Sequence, residues 1–489
     1  MGVSELSILR FSDLGFAAAV PFSIVAGSAI AVLLVDLLLP AERRWVLPYV
    51  ALLGVTVAGI SIAMLWDEKF LGFAGAISLD RFSSFFGLVL LLGTALILLI
   101  SSSYARTENI QRGEYYSLIL FATSGAMLMA SAVDLLAFFL GLEILSICLY
   151  VLSGFFRERA ISVEAAVKYF VLGAFASGFF LYGIALCYGA TGSTSYSDLK
   201  LVLFSSPKLA SPLVIAACAL LLVGLLFKLG SVPFHMWVPD VYEGAPTSIT
   251  GYMSTVSKAA AFAAFIRIFS ANVPTIQVDL SRILWVLAVA TMTLGNIVAI
   301  AQTNVKRMLA YSSIAHAGYV LVALTAADRA GYSSVLFYAL AYTFMTIGAF
   351  GVVVLLRREG VEALEITFYS GMAKRHPLLA LAMTIFMISL AGIPPTAGFF
   401  GKFYIFSAAV GAGYTGLAVI GVLNSLISVY FYMRIVFLMY MREESGQIEV
   451  CSSSAATVAL AVCAAGTVAM GIFPSGFANL VASSIAAIF

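Results

Sequence analysis

The feature that most restricts the fold of this chain is a succession of apolar runs, each about 20 residues long, that fills almost the whole sequence. As a helix, such a run is long enough to cross the hydrocarbon core of a bilayer, which is about 30 Å thick. Charged residues make up only 10% of the 489 residues, whereas a soluble domain usually has about 25%. We therefore predict an all-α integral membrane protein of about fourteen transmembrane helices, with no separate soluble domain.

The apolar runs and the polar loops between them place the predicted helices along the chain. We number the spans 1 to 14, and they cover residues 16–39, 45–66, 83–103, 116–133, 135–155, 161–189, 210–232, 246–270, 282–302, 308–326, 334–357, 378–410, 414–440 and 455–485. The first run lacks the basic start and small-residue cleavage site of a signal peptide, so we expect it to be retained. Spans 4 and 5 meet at Asp134, the expected N-cap of span 5.

The orientation follows from lysine and arginine in the short loops, which are enriched on the cytoplasmic side of a membrane. Loops after odd-numbered spans hold more of them, for example Arg43 with Arg44 and Lys374 with Arg375. Lys200 and Lys208 lie in a loop after an even-numbered span and run against this bias. The distribution predicts that both termini are periplasmic.

Prolines interrupt two of the predicted spans. Pro233 lies in the segment 221–237, and Pro394 and Pro395 lie in the segment 389–403. Proline removes a backbone donor and leaves the carbonyl four residues earlier without its helical partner. The carbonyls expected to be free are those of Leu229, Leu390 and Ala391. Irregular backbone at membrane depth is tolerated where it is buried in protein or lines water.

The two breaks suggest an internal repeat, because they fall in spans 7 and 12 and therefore lie five helices apart. An odd number of helices gives two units of opposite topology, a pattern typical of transporters. We predict two inverted five-helix repeats, spans 4–8 (residues 116–270) and spans 9–13 (residues 282–440), within one transmembrane domain, 1–489. Three N-terminal spans (1–115) and a C-terminal span (441–489) flank them. The alternative is two unrelated proline kinks.

Glu143 is the acidic candidate for function, because ionisable residues deep in a span are costly and rare. It follows Asp134 by nine residues, which places it about 13 Å along the helix, near the middle of the bilayer. A glutamate at that depth is too short to reach the interface. The alternative is a neutral glutamate that is hydrogen-bonded for packing.

Three lysines in the apolar runs are the basic candidates: Lys228 beside the break in span 7, Lys258 in span 8, and Lys402 two turns after Pro395. Burial favours the neutral amine of a lysine and a nearby carboxylate favours the ammonium, so such a side chain can carry a proton. Hydroxyl residues surround Lys258 in sequence and suit an internal water chain, although they also serve helix packing. For Lys228 the alternative is a side chain that reaches the interface, and for Lys402 an interfacial anchor or a lysine in a polar pocket.

Lys168 and His316 are weaker candidates. Glu164 precedes Lys168 by four residues, which is the spacing of an ordinary ion pair on a helix. His316 lies about two turns into span 10, where it could relay a proton or simply pack.

The sequence also argues against several kinds of site. The five cysteines are scattered without a CxxC pair, and there are only three histidines, so we expect no redox centre, metal site or other cofactor in this chain. The net charge of +2 is spread evenly, which is unlike a nucleic-acid-binding protein. The expected cargo is a proton or a small cation.

Three segments resemble the N subunit of bacterial respiratory complex I, the proton-pumping NADH:quinone oxidoreductase. They read KLGSVPFHMWVPDVYEGAPT (228–247), QTNVKRMLAYSSIAHAGY (302–319) and LAGIPPTAGFFGKFY (390–404). The wider family includes the L and M subunits and Mrp-type cation/proton antiporter subunits. The alternatives to a pump subunit are an Mrp-type antiporter and a scaffold that moves no protons.

The resemblance implies a role for each candidate residue. Glu143 and Lys228 would form an ion pair, Lys258 would be the central relay, and Lys402 would lead to the periplasmic exit. Lys168 and His316 would line the connecting water path.

The resemblance also implies the setting, a bacterial inner membrane. The partners would be membrane-arm subunits of the M, K and J/A types, the peripheral redox arm and the lipid bilayer. NADH, FMN, iron–sulfur clusters and quinone would be used by other subunits. Their redox chemistry would move Glu143 away from Lys228 and release the proton of Lys228 toward Lys258.

Overall fold

A computed structural model describes residues 15–205, 212–269, 274–443, 448–451 and 453–488. The predicted start of span 7 at residue 210, the predicted end of span 8 at residue 270, and Lys208 lie outside the described residues. So do residues 1–14, which precede span 1.

Helices account for most of the described chain. The first ten α-helices are α1 (Val20–Leu38), α2 (Leu47–Met64), α3 (Arg81–Thr107), α4 (Gly113–Ser131), α5 (Leu135–Ser153), α6 (Ala160–Thr191), α7 (Tyr196–Ser205), α8 (Pro212–Leu229), α9 (Trp237–Gly244) and α10 (Thr247–Tyr252). They are followed by α11 (Lys258–Phe269), α12 (Pro274–Ile300), α13 (Val305–Ala326), α14 (Arg329–Leu355), α15 (Met372–Arg375), α16 (Pro377–Ala391), α17 (Ala397–Gly411), α18 (Thr415–Met441), α19 (Ser454–Ile472) and α20 (Pro474–Ile485).

Short elements connect the helices. One antiparallel hairpin pairs β1 (Phe70–Gly72) with β2 (Ile77–Leu79), and a second small sheet places β3 (Leu356–Arg358) between β4 (Val361–Glu362) and β5 (Glu449–Val450). Single 3₁₀ turns cover Phe16–Ala19, Ala41–Val46 and Ile366–Tyr369. A π-helical stretch, Met253–Ser257, joins α10 to α11 without interruption.

Eleven helical segments in the described part of the chain are long and apolar enough to cross a membrane, and α16 and α17 are shorter apolar helices. This confirms the predicted all-α membrane fold, whereas the number of about fourteen spans stays a prediction. The Asp134 carboxylate accepts hydrogen bonds from the backbone amides of Leu136 and Ala137, at 2.8 and 3.2 Å, so the predicted N-cap of span 5 is confirmed.

Three predicted spans are divided more sharply than their sequences indicated. Span 7 ends at Leu229, four residues before Pro233, and the chain after it forms α9 where a loop was expected. Span 12 consists of two separate helices, α16 and α17, on either side of the double proline. Span 14 is likewise divided by Pro474 into α19 and α20.

Helices α13 and α14 lie at the centre of the bundle. In their most apolar stretches, 94% of the α13 residues and all of the α14 residues are buried, compared with 28% for α6. Buried apolar side chains from α1 to α20 belong to one continuous cluster around these two helices. The polar groups in the middle of α13, Ser312, Ser313 and His316, are therefore enclosed by protein.

A buried ion pair fixes one end of the bundle. Arg267 lies near the end of predicted span 8. Its guanidinium contacts both carboxylate oxygens of Asp80, at 2.7 and 2.9 Å, and the Ala130 carbonyl at 2.8 Å. Burial raises the pKa of Asp80, but the Arg267 charge and the Ser83 amide outweigh burial and hold the pKa below its ordinary value. Arg267 thus joins α11 to the N-terminus of α3.

Candidate functional site

The first break places Lys228 in the last turn of α8. Gly230 follows the helix with a φ of 69°, in the left-handed region that glycine favours. The Phe227 carbonyl accepts hydrogen bonds from the Gly230 amide and from the Trp237 indole, both at 3.0 Å. The carbonyl end of a helix attracts positive charge, so this position suits an ammonium group.

Glu143 and Lys228 lie near each other but do not touch. The Lys228 ammonium donates to the Ser146 hydroxyl of α5 at 3.0 Å, and the Glu143 carboxylate accepts from the Ser177 hydroxyl of α6 at 2.5 Å. Ser146 lies one turn after Glu143, on the same face of α5. A cavity of about 10 Å³, comparable with the space that one water needs, is lined by Lys228 and by both hydroxyl partners, Ser146 and Ser177. No contact of 4.0 Å or less joins these two described residues, so their ion pair stays a prediction.

Lys258 lies directly after the π-helical stretch and is only 2% exposed. Its ammonium donates to the carbonyl and hydroxyl of Ser313 on α13, at 2.7 and 2.6 Å. The same ammonium lies 4.0 Å from the point where a Cβ atom on Gly230 would be, so it also reaches the first break. Single-turn π-helical insertions frequently occur at functional sites, because they change the direction of one side chain within a helix.

The hydroxyls near Lys258 in sequence contact other helices. Tyr252 contacts Thr123 of α4 at 2.9 Å, and Ser248 contacts Tyr115 of α4 at 2.7 Å. Thr255 donates to the Gly251 carbonyl within its own helix. These contacts agree with the packing alternative rather than with a water chain along this face.

His316 stands in a group of buried tyrosines inside the bundle. Its Nε2 atom is 2.9 Å from the Tyr432 hydroxyl, and its Nδ1 atom contacts the Tyr338 hydroxyl. Tyr432 also contacts the hydroxyl of Ser312, the residue next to Ser313, the partner of Lys258. The imidazole therefore continues the polar contacts that begin at Lys258.

The second break is closed by Lys402, which is 4% exposed. Its ammonium donates to the Leu390 and Ala391 carbonyls at the end of α16, at 3.0 and 2.9 Å, and to the Ser425 hydroxyl at 2.8 Å. These are the two carbonyls that the double proline was predicted to free. The ammonium also lies 4.7 Å from the ring centre of Tyr319, one turn after His316 on α13.

A second cavity, of about 620 Å³, lies beside Lys402 between α17 and α18. Lys402 and Ser425 are polar groups in its wall, and most of the remaining wall is apolar. Phe403 and Leu423 line it and are 53% and 55% exposed, so the cavity opens at the outer surface of this chain. Lys402 is thus more accessible from the outer surface of the chain than Lys228, which lines only the cavity of about 10 Å³.

Lys168 belongs to a different group. It pairs with Glu164 at 2.6 Å and with Asp240 at 2.7 Å, and its side chain is 41% exposed. Asp240 also pairs with Arg307 at 3.0 Å. The structure therefore places Lys168 in an outer ion-pair network, as its spacing from Glu164 indicated, and not beside the buried lysines.

Several residues of this site were missed by the sequence analysis. They are the hydroxyl partners of the four main candidates and of His316: Ser146, Ser177, Ser313, Ser425, Tyr338 and Tyr432. Each lies within a predicted span, where a hydroxyl gives no signal until its partner on another helix is known. Among the described residues, no group of three metal-ligating side chains could hold a metal ion.

Comparison with known proteins identifies the family. Residues 132–428 match the family model described as NADH:quinone oxidoreductase/Mrp antiporter, transmembrane. NADH-quinone oxidoreductase subunit N of Trichlorobacter lovleyi is 47% identical over 466 residues, covering 95% of this chain and 96% of that protein.

Two solved structures have the same fold. A chain of respiratory complex I from Thermus thermophilus with bound aureothin is 35% identical, with a TM-score of 0.81, and the match covers 94% of this chain and 99% of that chain. A chain of the Mrp complex from Dietzia is 21% identical, with a TM-score of 0.81 and coverage of 96% and 97%. The likeness to the Mrp chain concerns the fold alone, whereas the Thermus thermophilus chain is similar in both fold and sequence. The chain therefore belongs to the family of NADH-quinone oxidoreductase subunit N.

Proposed function

We propose that this chain is a proton-translocating subunit of NADH:quinone oxidoreductase, and that Glu143, Lys228, Lys258 and Lys402 carry the proton through it. The observation that supports this most is that three amines are buried without a counter-charge. Lys228, Lys258 and Lys402 donate only to hydroxyl or carbonyl oxygens, and no carboxylate of the described residues lies within 4.0 Å of them. An unpaired ammonium in an apolar interior is costly, whereas the neutral amine is not.

The contacts between these groups supply a route through the chain. Lys258 reaches the break beside Lys228 at Gly230, and on its other side it donates to Ser313. From Ser313 the route follows α13 through His316 to Tyr319, over whose ring Lys402 lies. One central helix, α13, thus carries the middle of the proposed route.

Glu143 regulates when Lys228 holds its proton. In the described arrangement its carboxylate is held by Ser177, away from Lys228. If it turns toward Ser146, it stabilises the ammonium of Lys228, and when it returns to Ser177 that stabilisation is lost. The proton of Lys228 then moves toward Lys258. His316 joins Lys258 to Lys402, and Lys168 assists from the outer network by holding Asp240 beside the break.

The family supports a setting in a bacterial inner membrane, beside M-type, K-type and J/A-type subunits. The loop charges predict that both termini are periplasmic. NADH, FMN, iron–sulfur clusters and quinone would act in the other subunits, and this chain would hold no redox centre. The redox reaction would then reach Glu143 as an electrostatic change at the surface of this subunit.

Glu143→Gln tests the proposal in the assembled complex, reconstituted in vesicles. Glutamine keeps the size of the side chain and its bond to Ser177 but cannot carry the negative charge. We expect NADH-driven proton uptake to fall about tenfold or more, since positioned proton-transfer groups contribute about 10²-fold or more. Glu68→Gln, at an exposed position away from the relay, is the matched control and should pump normally.

Normal proton uptake by an assembled Glu143→Gln complex would refute the control role of Glu143. Purification of the chain without any redox subunit, together with cation-driven proton exchange, would instead favour an Mrp-type antiporter. A pump-inactive scaffold predicts that Lys228→Met leaves proton uptake intact.

A further inference from the structure

A fourth buried lysine, Lys306, is used by none of the steps above. It is the second residue of α13, where the Asn304 side chain caps the helix by accepting the Lys306 and Arg307 amides at 2.8 and 3.3 Å. The side chain is buried, with 1% of the residue exposed. The first turn of a helix repels positive charge, so both the burial and the position of this ammonium are unfavourable.

Its neighbour shows how such a charge is normally balanced. Arg307 pairs with Asp240 at 3.0 Å and with Glu243 at 2.7 Å. Lys306 has only the Ala245 carbonyl, at 2.6 Å, and no carboxylate of the described residues lies within 4.0 Å of its ammonium. A buried apolar residue would fill this place at lower cost. The lysine therefore resembles Lys228, Lys258 and Lys402 in its surroundings, and differs from Arg307.

The position of Lys306 connects the outside of the bundle with Lys258. Toward the surface, Ala245 is followed two residues later by Thr247, whose hydroxyl donates to the Glu362 carboxylate at 2.6 Å. Glu362 is half-buried, in β4, on the side that the loop charges predict to be cytoplasmic. The same carboxylate accepts from the Tyr104 hydroxyl at 3.0 Å.

Toward the interior, Ser313 lies seven residues after Lys306, which is two turns or about 10 Å along the same face of α13. Ser313 is the residue to which Lys258 donates. The buried Tyr242 hydroxyl lies close to Ser313 without a formed hydrogen bond, three residues before the carbonyl that holds Lys306. Polar groups therefore follow one another from Glu362 to Lys258.

We propose that Lys306 is a further proton-binding residue, placed on the entry route between Glu362 at the surface and Lys258 in the interior. This inference rests on the proposed function and extends it. The neutral amine of Lys306 accepts a proton from the Glu362 side, becomes an ammonium, and releases that proton toward Lys258. Only N–H and O–H bonds are formed or broken, and the charge moves with the proton.

Lys306→Arg separates this role from a structural one. Arginine keeps a positive charge and can still donate to the Ala245 carbonyl, but it does not release its proton in proteins. We expect an assembled Lys306→Arg complex to lose about tenfold or more of its NADH-driven proton uptake, because a positioned proton-transfer group contributes about 10²-fold or more. Lys374→Met, at an exposed lysine on the same predicted side, is the control and should pump normally. A lysine that merely clamps the loop between α9 and α10 predicts that Lys306→Arg also pumps normally, and that result would overturn the proposal.

Lys306→His decides the question if arginine is too large for the site. A relay must both bind and release its proton. The pH profile of the rate of proton uptake should therefore be centred near pH 6.5, roughly the ordinary pKa of imidazole. A pH profile identical to that of the parent complex, or failure of both variants to assemble, would assign a structural role to Lys306. Lys258→Met is measured in parallel to separate the two proposals. Normal proton uptake by Lys258→Met would refute the whole relay. Loss of uptake in Lys258→Met, together with normal uptake in Lys306→Arg, would refute only the role of Lys306.

Discussion

The two interrupted helices have the same break but hold their lysines differently. In each, the first half ends one residue before a glycine in the left-handed region, Gly230 or Gly392, and a proline follows three residues later. Both breaks place an ammonium at the carbonyl end of a helix, where the dipole stabilises it. Lys228 belongs to the half-helix that ends at its break and donates away from it, to Ser146. Lys402 comes from the half-helix that begins after its break and reaches back to the carbonyls.

The two lysines therefore differ in how much they contribute to stability, Lys228 less and Lys402 more. Lys228 has a single hydrogen-bond partner among the described residues, a hydroxyl that can rotate. Lys402 satisfies two carbonyls that α16 leaves open in the interior of the bundle. The shared register supports the predicted repeat, yet the second break depends on its lysine for stability and the first does not.

The largest expected effect is therefore on stability, and it distinguishes Lys402→Met from Lys228→Met. Both variants should lose proton uptake. Lys402→Met also leaves the Leu390 carbonyl buried without its donor, at about 1–3 kcal/mol. The Ala391 carbonyl then keeps only a long contact of 3.4 Å with the Ser425 hydroxyl. Lys228→Met leaves only the Ser146 hydroxyl, which can turn toward a backbone carbonyl. The measurement is the temperature at which each purified complex loses this subunit, and equal temperatures for the two variants would contradict the comparison.

A smaller effect is expected from alanine at the two glycines. Each substitution places a side chain in the left-handed region, at about 1–2 kcal/mol. In Gly392→Ala the new Cβ would lie 2.8 Å from the Lys402 Cδ atom and would push the ammonium away from its carbonyls. In Gly230→Ala it would meet Val238 at 2.7 Å and stay 4.0 Å from the Lys258 ammonium. Proton uptake in vesicles should fall more in Gly392→Ala, although the two variants have similar backbone strain; an equal fall would show that strain alone matters.

The smallest effect should come from removing one serine hydroxyl at each lysine. Ser146→Ala takes away the hydroxyl that holds Lys228, and we expect a loss of about 1 kcal/mol. Ser425→Ala leaves Lys402 on its two carbonyls and should cost less. The rates of proton uptake and the temperatures of subunit loss check both. A larger effect at Ser425 would mean that the carbonyl contacts of Lys402 are weak in the membrane.

The sequence predicted the parts of the fold that depend on neighbouring residues along the chain. Apolar runs of the length of a bilayer indicated the helices, and Asp134 indicated where span 5 begins. The double proline indicated which carbonyls α16 would leave free. The buried positions of Lys228, Lys258 and Lys402 followed from the cost of placing charge at membrane depth. Each of these inferences uses local geometry or burial, which a single sequence contains.

What the sequence could not decide was which groups meet across helices. Ser313 as the partner of Lys258, Ser177 as the partner of Glu143, and the tyrosines around His316 depend on how distant segments pack. The same holds for Lys306, which only the packing of α13 in the bundle buries. Helix boundaries arise from local backbone chemistry, so the sequence alone predicted an all-α membrane fold and most of its helices. Hydrogen bonds between helices depend on rotation and depth of each helix in the bundle, and only the tertiary structure set those.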